Sequence, residues 1–262
     1  PQCPQGEPAM TSLSVNLNKI ALIRNSRPGN YPSVTEHAGI CIAAGADGIT
    51  VHPRPDQRHI RPDDVRSLAA LVGRHSGVEF NVEGNPFAGP QGSYPGYMAL
   101  VEETVPHQCT LVPDTSDQLT SDHGFDLKTS AEKVEPVIAR LRALGMRVSL
   151  FMDPDREQIR IARDIGADRI ELYTGPYAEA WGDEQRLAPL FEHYYRAAEF
   201  AQNIGLGVNA GHDLNLENLG RMATVPGLLE VSIGHALTVD AIRMGLDNAV
   251  RAYKAVLDER QQ

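Results

Sequence analysis

One pattern recurs along this chain and limits the folds open to it. A short run of apolar or β-branched residues ends in a polar, glycine-flanked turn, and a stretch with helical periodicity follows. The eight runs are LSVNLN (13–18), GITVH (48–52), VEFNVEG (78–84), CTLVPD (109–114), RVSLFMD (147–153), RIELYTG (169–175), GVNAGH (207–212) and LEVSIGH (229–235). Eight alternating units in 262 residues predict a single (β/α)8 TIM barrel, an α/β fold, over residues 13–262.

The turns between helices and strands support this prediction. The phrases AAGADGITVH, RALGMRVSLF, DIGADRIELY and NIGLGVNAG each place a glycine between the end of a helix and the next strand. A doubly wound open sheet is the alternative, but the first strand is not followed by a GxGxxG turn. We expect residues 1–12 to be a loose leader, with Met10 a candidate start, and 84–97 to be an elaborated loop on the catalytic face.

Composition narrows the possible partners. The net charge of −10 argues against nucleic acid and anionic membranes. The chain has no apolar run of 18 residues and no signal-peptide pattern. The three cysteines, Cys3, Cys41 and Cys109, form no CxxC pair, and we expect the last two to be buried. These features favour a soluble cytoplasmic protein that binds small molecules.

Polar residues follow nearly every predicted strand. In this fold such positions surround the active site, whereas the opposite rim is structural. Ionisable groups that converge on one mouth are costly to desolvate and seldom serve stability. A single histidine there would more often be a hydrogen-bonded structural residue, so the prediction rests on the set. Its members are Asn16, Asn18, His52, Glu83, Asp114, Asp153, Glu171, Asn209, His212 and His235.

The segment VHPRPDQRHI (51–60) is the most informative. His52 closes the second strand and is free for proton transfer near neutral pH. Arg54, Arg58 and His59 follow on a loop stiffened by prolines, where arginines can hold a phosphate. The alternative is a solvated basic loop.

Two Gly-His pairs close the last two strands, in NAGHDL (209–214) and SIGHALT (232–238). Backbone N–H groups at a helix start form an anion site, and the loops after strands 7 and 8 usually hold phosphate in this fold. The alternative is a pair of tight βα turns.

Two other chemistries have weaker support in the sequence. A Schiff-base enzyme needs a lysine on an inner strand. Of the lysines (Lys19, Lys128, Lys133 and Lys254), only Lys19 lies near a strand end. A metal-dependent barrel is not supported by HxH or HExxH spacing, but ligands scattered over several strands remain open.

The chain resembles the pyridoxine 5′-phosphate synthase family from about Leu13 to Leu257. The phrases that carry the resemblance are SVNLNKIALIRN, GADGITVHPRPDQRHI, LVPD…TSDHGFD, IELYTGPYA, VNAGHDL and EVSIGHAL. The resemblance implies a homo-octamer of (β/α)8 barrels without metal or organic cofactor. It also implies condensation of 1-deoxy-D-xylulose 5-phosphate with 3-amino-2-oxopropyl phosphate, which closes a pyridine ring and releases phosphate and water.

The resemblance also implies roles for individual residues. His52 would be a general base, Glu83 a second acid/base and His212 a proton donor. We choose Glu83 over Glu79 because it lies at the C-terminal end of its strand. The segment TSDHGFD would be a lid. The implied substrate-binding residues are Asn16, Asn18, Lys19, Arg27, Arg54, His59, Thr120, Asp213, Gly234 and His235.

The chain departs from the family at two places. Many members have Asp-His where this chain has Asn18-Lys19, and Gly where it has Asp213. We therefore expect the substrate contacts there to differ. Two other functions stay as alternatives: a metal-dependent sugar-phosphate lyase or isomerase, and a non-catalytic barrel that binds a phosphorylated ligand.

Overall fold

Eight parallel strands close into a barrel in their order along the chain, and β8 pairs with β1. The computed structural model describes residues 10–259. The strands are β1 (Ser12–Asn16), β2 (Gly48–Val51), β3 (Glu79–Gly84), β4 (Gln108–Leu111), β5 (Arg147–Met152), β6 (Arg169–Tyr173), β7 (Gly207–Gly211) and β8 (Leu228–Ile233). All eight predicted runs are strands, so the predicted (β/α)8 barrel is confirmed.

Helices connect the strands and pack around them. Two helices follow each of β1, β6 and β8, and one helix follows each of the other strands. The helices are α1 (Asn18–Asn25), α2 (Val34–Ala43), α3 (Pro62–Val72), α4 (Tyr97–Thr104), α5 (Leu127–Ala143), α6 (Arg156–Asp164), α7 (Gly175–Glu179), α8 (Glu184–Asn203), α9 (Leu219–Met222), α10 (His235–Met244) and α11 (Leu246–Glu259). Within residues 10–259, none is both long enough and apolar enough to cross a membrane.

The predicted glycine stops have the backbone conformation that their position requires. Gly45, Gly145, Gly166 and Gly205 follow α2, α5, α6 and α8, with φ angles of 103°, 88°, 91° and 92°. A side chain at such a φ clashes with the backbone, so glycine ends these helices at low cost.

The strands are apolar towards the helices and polar towards the barrel axis. Leu13 and Val15 of β1, for example, belong to the hydrophobic core shared with the helices. The Gln108 amide donates to Glu230 Oε1 at 3.1 Å across the barrel, from β4 to β8. Most barrels of this fold have branched apolar side chains at the axis. This barrel has a hydrogen-bonded polar interior instead, which includes Ser14, Thr50, Asn81, Thr110 and Asn209.

The first strand is shorter than its sequence pattern. We predicted that it runs to Asn18, but β1 ends at Asn16 and α1 begins at Asn18. The Asn16 side chain accepts a hydrogen bond from the Asn18 N–H at 2.9 Å. This local turn competes with strand pairing and starts the helix.

The structure tests part of the predictions made for the N-terminal residues and for the cysteines. Thr11 donates its hydroxyl hydrogen to the Leu228 carbonyl at 2.8 Å, so residues 11 and 12 lie at the barrel rim. The leader prediction for 1–9 and the prediction for Cys3 lie outside the described residues. Cys41 and Cys109 are fully buried, as predicted.

Candidate active site

A cavity of about 390 Å³ lies at the carboxyl ends of the strands. All predicted site residues except one line it. They are Asn16, Asn18, Lys19, His52, Arg54, His59, Glu83, Thr120, His212, Asp213, Gly234 and His235. The exception is Arg27, which lies on the exposed turn after α1.

The other polar strand-end residues of the predicted set lie in different places. Glu171 also lines the cavity. Asn209 instead lies in the barrel interior, where it accepts a hydrogen bond from Arg169, and Asp153 accepts one from the Gly124 N–H. Asp114 supports the site from behind, because its carboxylate pairs with Arg54 at 2.7 Å.

The loop after β2 carries two buried imidazoles. His52 donates its backbone N–H to Asn18 Oδ1 at 2.9 Å, which links the end of β2 to the start of α1. Burial, and next the charge of Arg54, lower the pKa of His52 well below its usual range. His59 accepts the Ile60 N–H at Nδ1, and burial lowers its pKa to about 3. Both rings are therefore neutral at pH 7, and His52 can accept a proton.

Two largely buried carboxyl groups line the same cavity as this base. Glu83 Oε2 lies 3.9 Å from His52 Nδ1. Burial, followed by the charges of Asp114 and Glu230, raises the pKa of Glu83 to about 8. Burial and the charge of Glu83 also raise the pKa of Glu171 well above its usual range. Glu83 is therefore mainly protonated near neutral pH and can act as an acid beside a neutral histidine.

His212 follows β7 on the other side of the cavity. Its Nε2 lies 3.0 Å from the Thr120 hydroxyl, and its Nδ1 lies 2.8 Å from Asp213 Oδ2. The ring also packs edge-on against Tyr173, with 5.2 Å between centroids. The imidazole is thus held on three sides with its Nε2 towards the cavity.

The strand-8 turn leads directly into a helix. Gly234 is the N-cap of α10 and His235 is its first residue. A Cβ on Gly234 would lie 3.0 Å from the Asn16 Cβ, so a larger residue there would crowd β1. The first turn of α10 thus begins at the predicted Gly-His pair, and anion binding by its N–H groups stays a prediction.

The chain as a whole matches a known family. Residues 13–259 match the family model described as pyridoxal phosphate biosynthesis protein PdxJ. The chain belongs to the PdxJ family. A pyridoxine 5′-phosphate synthase of Xanthomonas axonopodis pv. citri (strain 306) is 57% identical over 248 residues, which cover 94% of this chain and 96% of the relative. That of Albidiferax ferrireducens is 53% identical over 245 residues, covering 93% and 96%.

Solved structures with low sequence identity share the fold alone. One is KGPDC from Streptococcus mutans, with a TM-score of 0.61 and 11% identity over 97% of this chain and all of that one. Another is phosphoribosyl anthranilate isomerase from Thermus thermophilus, with a TM-score of 0.55 and 14% identity over 95% and 99%. These likenesses support the barrel of this PdxJ family member but say nothing about its chemistry.

Arg24 is a residue of this PdxJ chain that the sequence reasoning missed. It is 1% exposed, and its guanidinium binds both carboxylate oxygens of Asp64 and donates to the His59 carbonyl at 3.0 Å. The Asn25 amide donates to the carbonyls of Arg58 and His59. Helix α1 therefore anchors the loop that carries the site. Arg24 lies four residues after Ile20 on the buried face of α1, where a charged residue interrupts the apolar pattern.

Arg58 joins the β2 loop to the predicted lid. Its guanidinium donates to the backbone carbonyls of Ser116, Gln118 and Leu119 at 3.2, 2.8 and 3.0 Å. Asp56 fixes the same guanidinium through Nε at 2.8 Å. These contacts hold the backbone that leads directly to Thr120.

The far end of the lid segment is held by the barrel. Phe125 donates its N–H to the Phe151 carbonyl at 3.0 Å. A Cβ on Gly124 would collide with the backbone of Met152 and Asp153, so this close approach requires glycine. The Ser121 hydroxyl also donates to Asp114 at 2.6 Å.

We expect Arg58→Met to loosen the lid. Without the guanidinium, three carbonyls lose their donor and Thr120 loses its position against His212. Chymotrypsin should cleave faster at Leu119, which is 87% exposed, and kcat/KM should fall by roughly 10- to 100-fold. Arg58→Lys is the matched control for charge, because an ammonium cannot span the three carbonyls in the same plane. If Arg58→Met is cleaved and turns over substrate at the same rates as the parent, Arg58 does not hold the lid in place.

Proposed function

We propose that this chain is a pyridoxine 5′-phosphate synthase. It would condense 1-deoxy-D-xylulose 5-phosphate with 3-amino-2-oxopropyl phosphate, close the pyridine ring and release phosphate and water. The observation that carries the proposal is the family match over residues 13–259, together with a single cavity lined by a neutral His52, a protonated Glu83 and His212.

The reaction needs repeated proton transfer. Imine formation, phosphate elimination, carbon–carbon closure and dehydration each move a proton to or from a carbon, nitrogen or oxygen atom. His52 is neutral and would accept the first of these protons. Glu83 carries a proton at the same mouth and would donate to a leaving oxygen. His212, on the opposite wall, would exchange protons through Nε2. Burial of the site excludes water that would hydrolyse an imine.

Phosphate groups would occupy both ends of the cavity. Asn16, Gly234, His235 and the Asp213 backbone lie together at the β1, β7 and β8 ends, where the α10 start offers N–H donors. Asn18, Lys19, Arg54, His59 and Thr120 supply the basic and polar side chains for the second substrate. Arg27 does not line this cavity and its turn is exposed, so its contact with a substrate phosphate stays a prediction.

We also propose a cytoplasmic homo-octamer. The exposed side chains Leu22 and Ile23 of α1 and Val239 and Ile242 of α10 are apolar, and the two helices touch. Apolar residues clustered on a surface are typical of association sites. Light scattering after size-exclusion chromatography measures the assembly directly, and a monomer at micromolar concentration would contradict it.

The deciding experiment is a turnover assay with both phosphorylated substrates in the presence of EDTA, with pyridoxine 5′-phosphate detected by chromatography. We expect turnover that chelation does not change. Within residues 10–259, no three His, Cys, Asp or Glu side chains are grouped so that they could hold a metal ion. Activity that EDTA abolishes and a divalent cation restores would favour a metal-dependent enzyme. Tight substrate binding without turnover by folded protein would favour a non-catalytic barrel.

A further inference from the structure

Two consecutive residues after β7 have an unusual backbone. His212 has φ 94° and Asp213 has φ 57°, although neither is glycine. Positive φ is uncommon for residues with a Cβ, and each such residue costs on the order of 1–3 kcal/mol. Strain of this kind persists where surrounding contacts impose it, and it is concentrated at functional sites.

Neighbouring contacts fix this backbone. The Thr174 hydroxyl lies 2.7 Å from the Gly211 carbonyl and 2.6 Å from the His212 carbonyl. The Asn218 amide donates to the Asp213 carbonyl at 3.1 Å. The turn is therefore held from β6 on one side and from the start of α9 on the other.

The strained turn produces one specific contact. Side chains of adjacent residues in extended backbone point to opposite faces, whereas here the Asp213 carboxylate reaches the ring of the preceding residue. Asp213 Oδ2 lies 2.8 Å from His212 Nδ1. Within residues 10–259, this is the only hydrogen bond recorded for the carboxylate, which is half exposed. Stability alone does not account for a carboxylate at this position, because glycine would adopt the same backbone without strain.

The contact decides which ring nitrogen is available. A carboxylate accepts a hydrogen bond but cannot donate one when ionised. The hydrogen bond from His212 lowers the pKa of Asp213, which is therefore ionised at pH 7. Nδ1 must then carry a hydrogen, and Nε2 faces the Thr120 hydroxyl at 3.0 Å with either a lone pair or a transferable proton. Lys19 and His235 are the nearby basic groups that also act on the carboxylate.

We propose that Asp213 is a positioning residue for His212. Its carboxylate holds Nδ1–H, fixes the plane of the imidazole and leaves Nε2 as the nitrogen that exchanges a proton with the substrate. This inference rests on the proposed function, in which His212 transfers protons. It adds a role for the Asp213 side chain to the role expected for its backbone N–H.

Two substitutions test the proposal. Asp213→Gly removes the carboxylate and relieves the backbone strain. Asp213→Asn keeps the size, the tolerance of positive φ and one acceptor oxygen, but loses the charge. We expect kcat to fall about 10-fold for Asn and about 100-fold for Gly, the range typical of groups that orient a functional histidine. KM for both substrates should stay within about threefold, because the backbone contacts remain.

The unfolding midpoint distinguishes a positioning role from a purely structural one. If Asp213 only stabilised the fold, its replacement would lower this midpoint. We expect the unfolding midpoint of Asp213→Gly to be no lower than that of the parent, because relieving positive φ offsets the added backbone freedom. An enzyme that is at least as stable yet about 100-fold slower fits a positioning residue. Parent kcat in Asp213→Gly, a loss of kcat with an equal loss of folded protein, or a large rise in KM at unchanged kcat would each overturn the proposal.

A second measurement does not depend on turnover. Neutron diffraction from crystals of the full chain would locate hydrogen on the His212 ring. We expect the ring hydrogen of His212 on Nδ1 in the parent. In Asp213→Gly we expect that the hydrogen is no longer confined to Nδ1. A parent ring with hydrogen on Nε2 only would overturn the proposal even if the enzyme is active. A parent without turnover but with hydrogen on Nδ1 would instead contradict the proposed function and leave the contact intact.

Discussion

Glu83→Gln is expected to lower kcat by roughly 10²- to 10⁴-fold, the usual contribution of a general acid or base. Glutamine has nearly the same shape but cannot release a proton to a leaving oxygen. The side chain is largely buried beside His52, with 13% exposed, so the substitution should leave the packing unchanged. Steady-state rates of pyridoxine 5′-phosphate formation measure the effect, and circular dichroism checks the fold.

The pH profile links that loss to the proton on Glu83. The pKa of Glu83 is raised to about 8, so the group is protonated below that pH and ionised above it. Because kcat/KM reports the free enzyme, it should fall in the parent as pH rises through about 8, and this fall should be missing in Glu83→Gln. Glu79→Gln is the matched control, since Glu79 lies at the other end of β3 and pairs with Arg147. An unchanged alkaline limb in Glu83→Gln, or equal losses in both variants, would argue against Glu83 as the acid.

Arg24→Met is expected to lower the free energy of unfolding by about 3–5 kcal/mol, because it leaves the Asp64 carboxylate partly buried without its cation. For a chain of this size the thermal midpoint should fall by roughly 10 °C. The same change removes one of the two side-chain donors to the His59 carbonyl, so the β2 loop should also lose order. Chemical denaturation, followed by circular dichroism, measures the first effect, and KM for the substrates measures the second.

Two further variants test whether the loss of stability in Arg24→Met comes from breaking a buried ion pair or only from removing a positive charge. Arg66→Met removes an arginine that pairs with Glu103 on the surface, and it should leave the unfolding midpoint near that of the parent. Arg24→Met combined with Asp64→Leu should recover part of the lost stability, since neither charge is then left alone. If Arg24→Met unfolds like the parent, Arg24 does not anchor the loop.

The sequence was sufficient to predict the barrel because each strand and each helix stop has a local signal. The alternation in SLSVN or EFNVEG marks a strand with one apolar side, and glycine marks the end of the preceding helix. The same signals located the site, since residues that follow parallel strands meet at one mouth. His52, Glu83 and His212 come from different strands, yet their place in the pattern was enough to bring them together.

Contacts made through side chains across loops had no such signal. Arg24 is a charged residue on a buried helix face, where the apolar pattern is interrupted and its partner, Asp64, is forty residues away in sequence. Arg58 was a candidate phosphate ligand, but its guanidinium donates to backbone carbonyls just before the predicted lid. Asp213 was expected only as a substrate-binding residue, and the hydrogen bond of its side chain to His212 depends on a φ angle that the sequence does not reveal.

The polar interior of the barrel has a consequence for how this protein can change. The outward residues of each strand hold the helices, and the inward residues bond to one another and lead up to the mouth. Residues whose substitution can change the chemistry therefore alternate along each strand with residues that maintain the fold. A library that varies the inward residues Asn16, Glu83, Glu171 and Ser232 at the mouth, while the outward residues Leu13, Val82, Leu172 and Val231 stay fixed, would explore new activities without changing the surface that holds the helices.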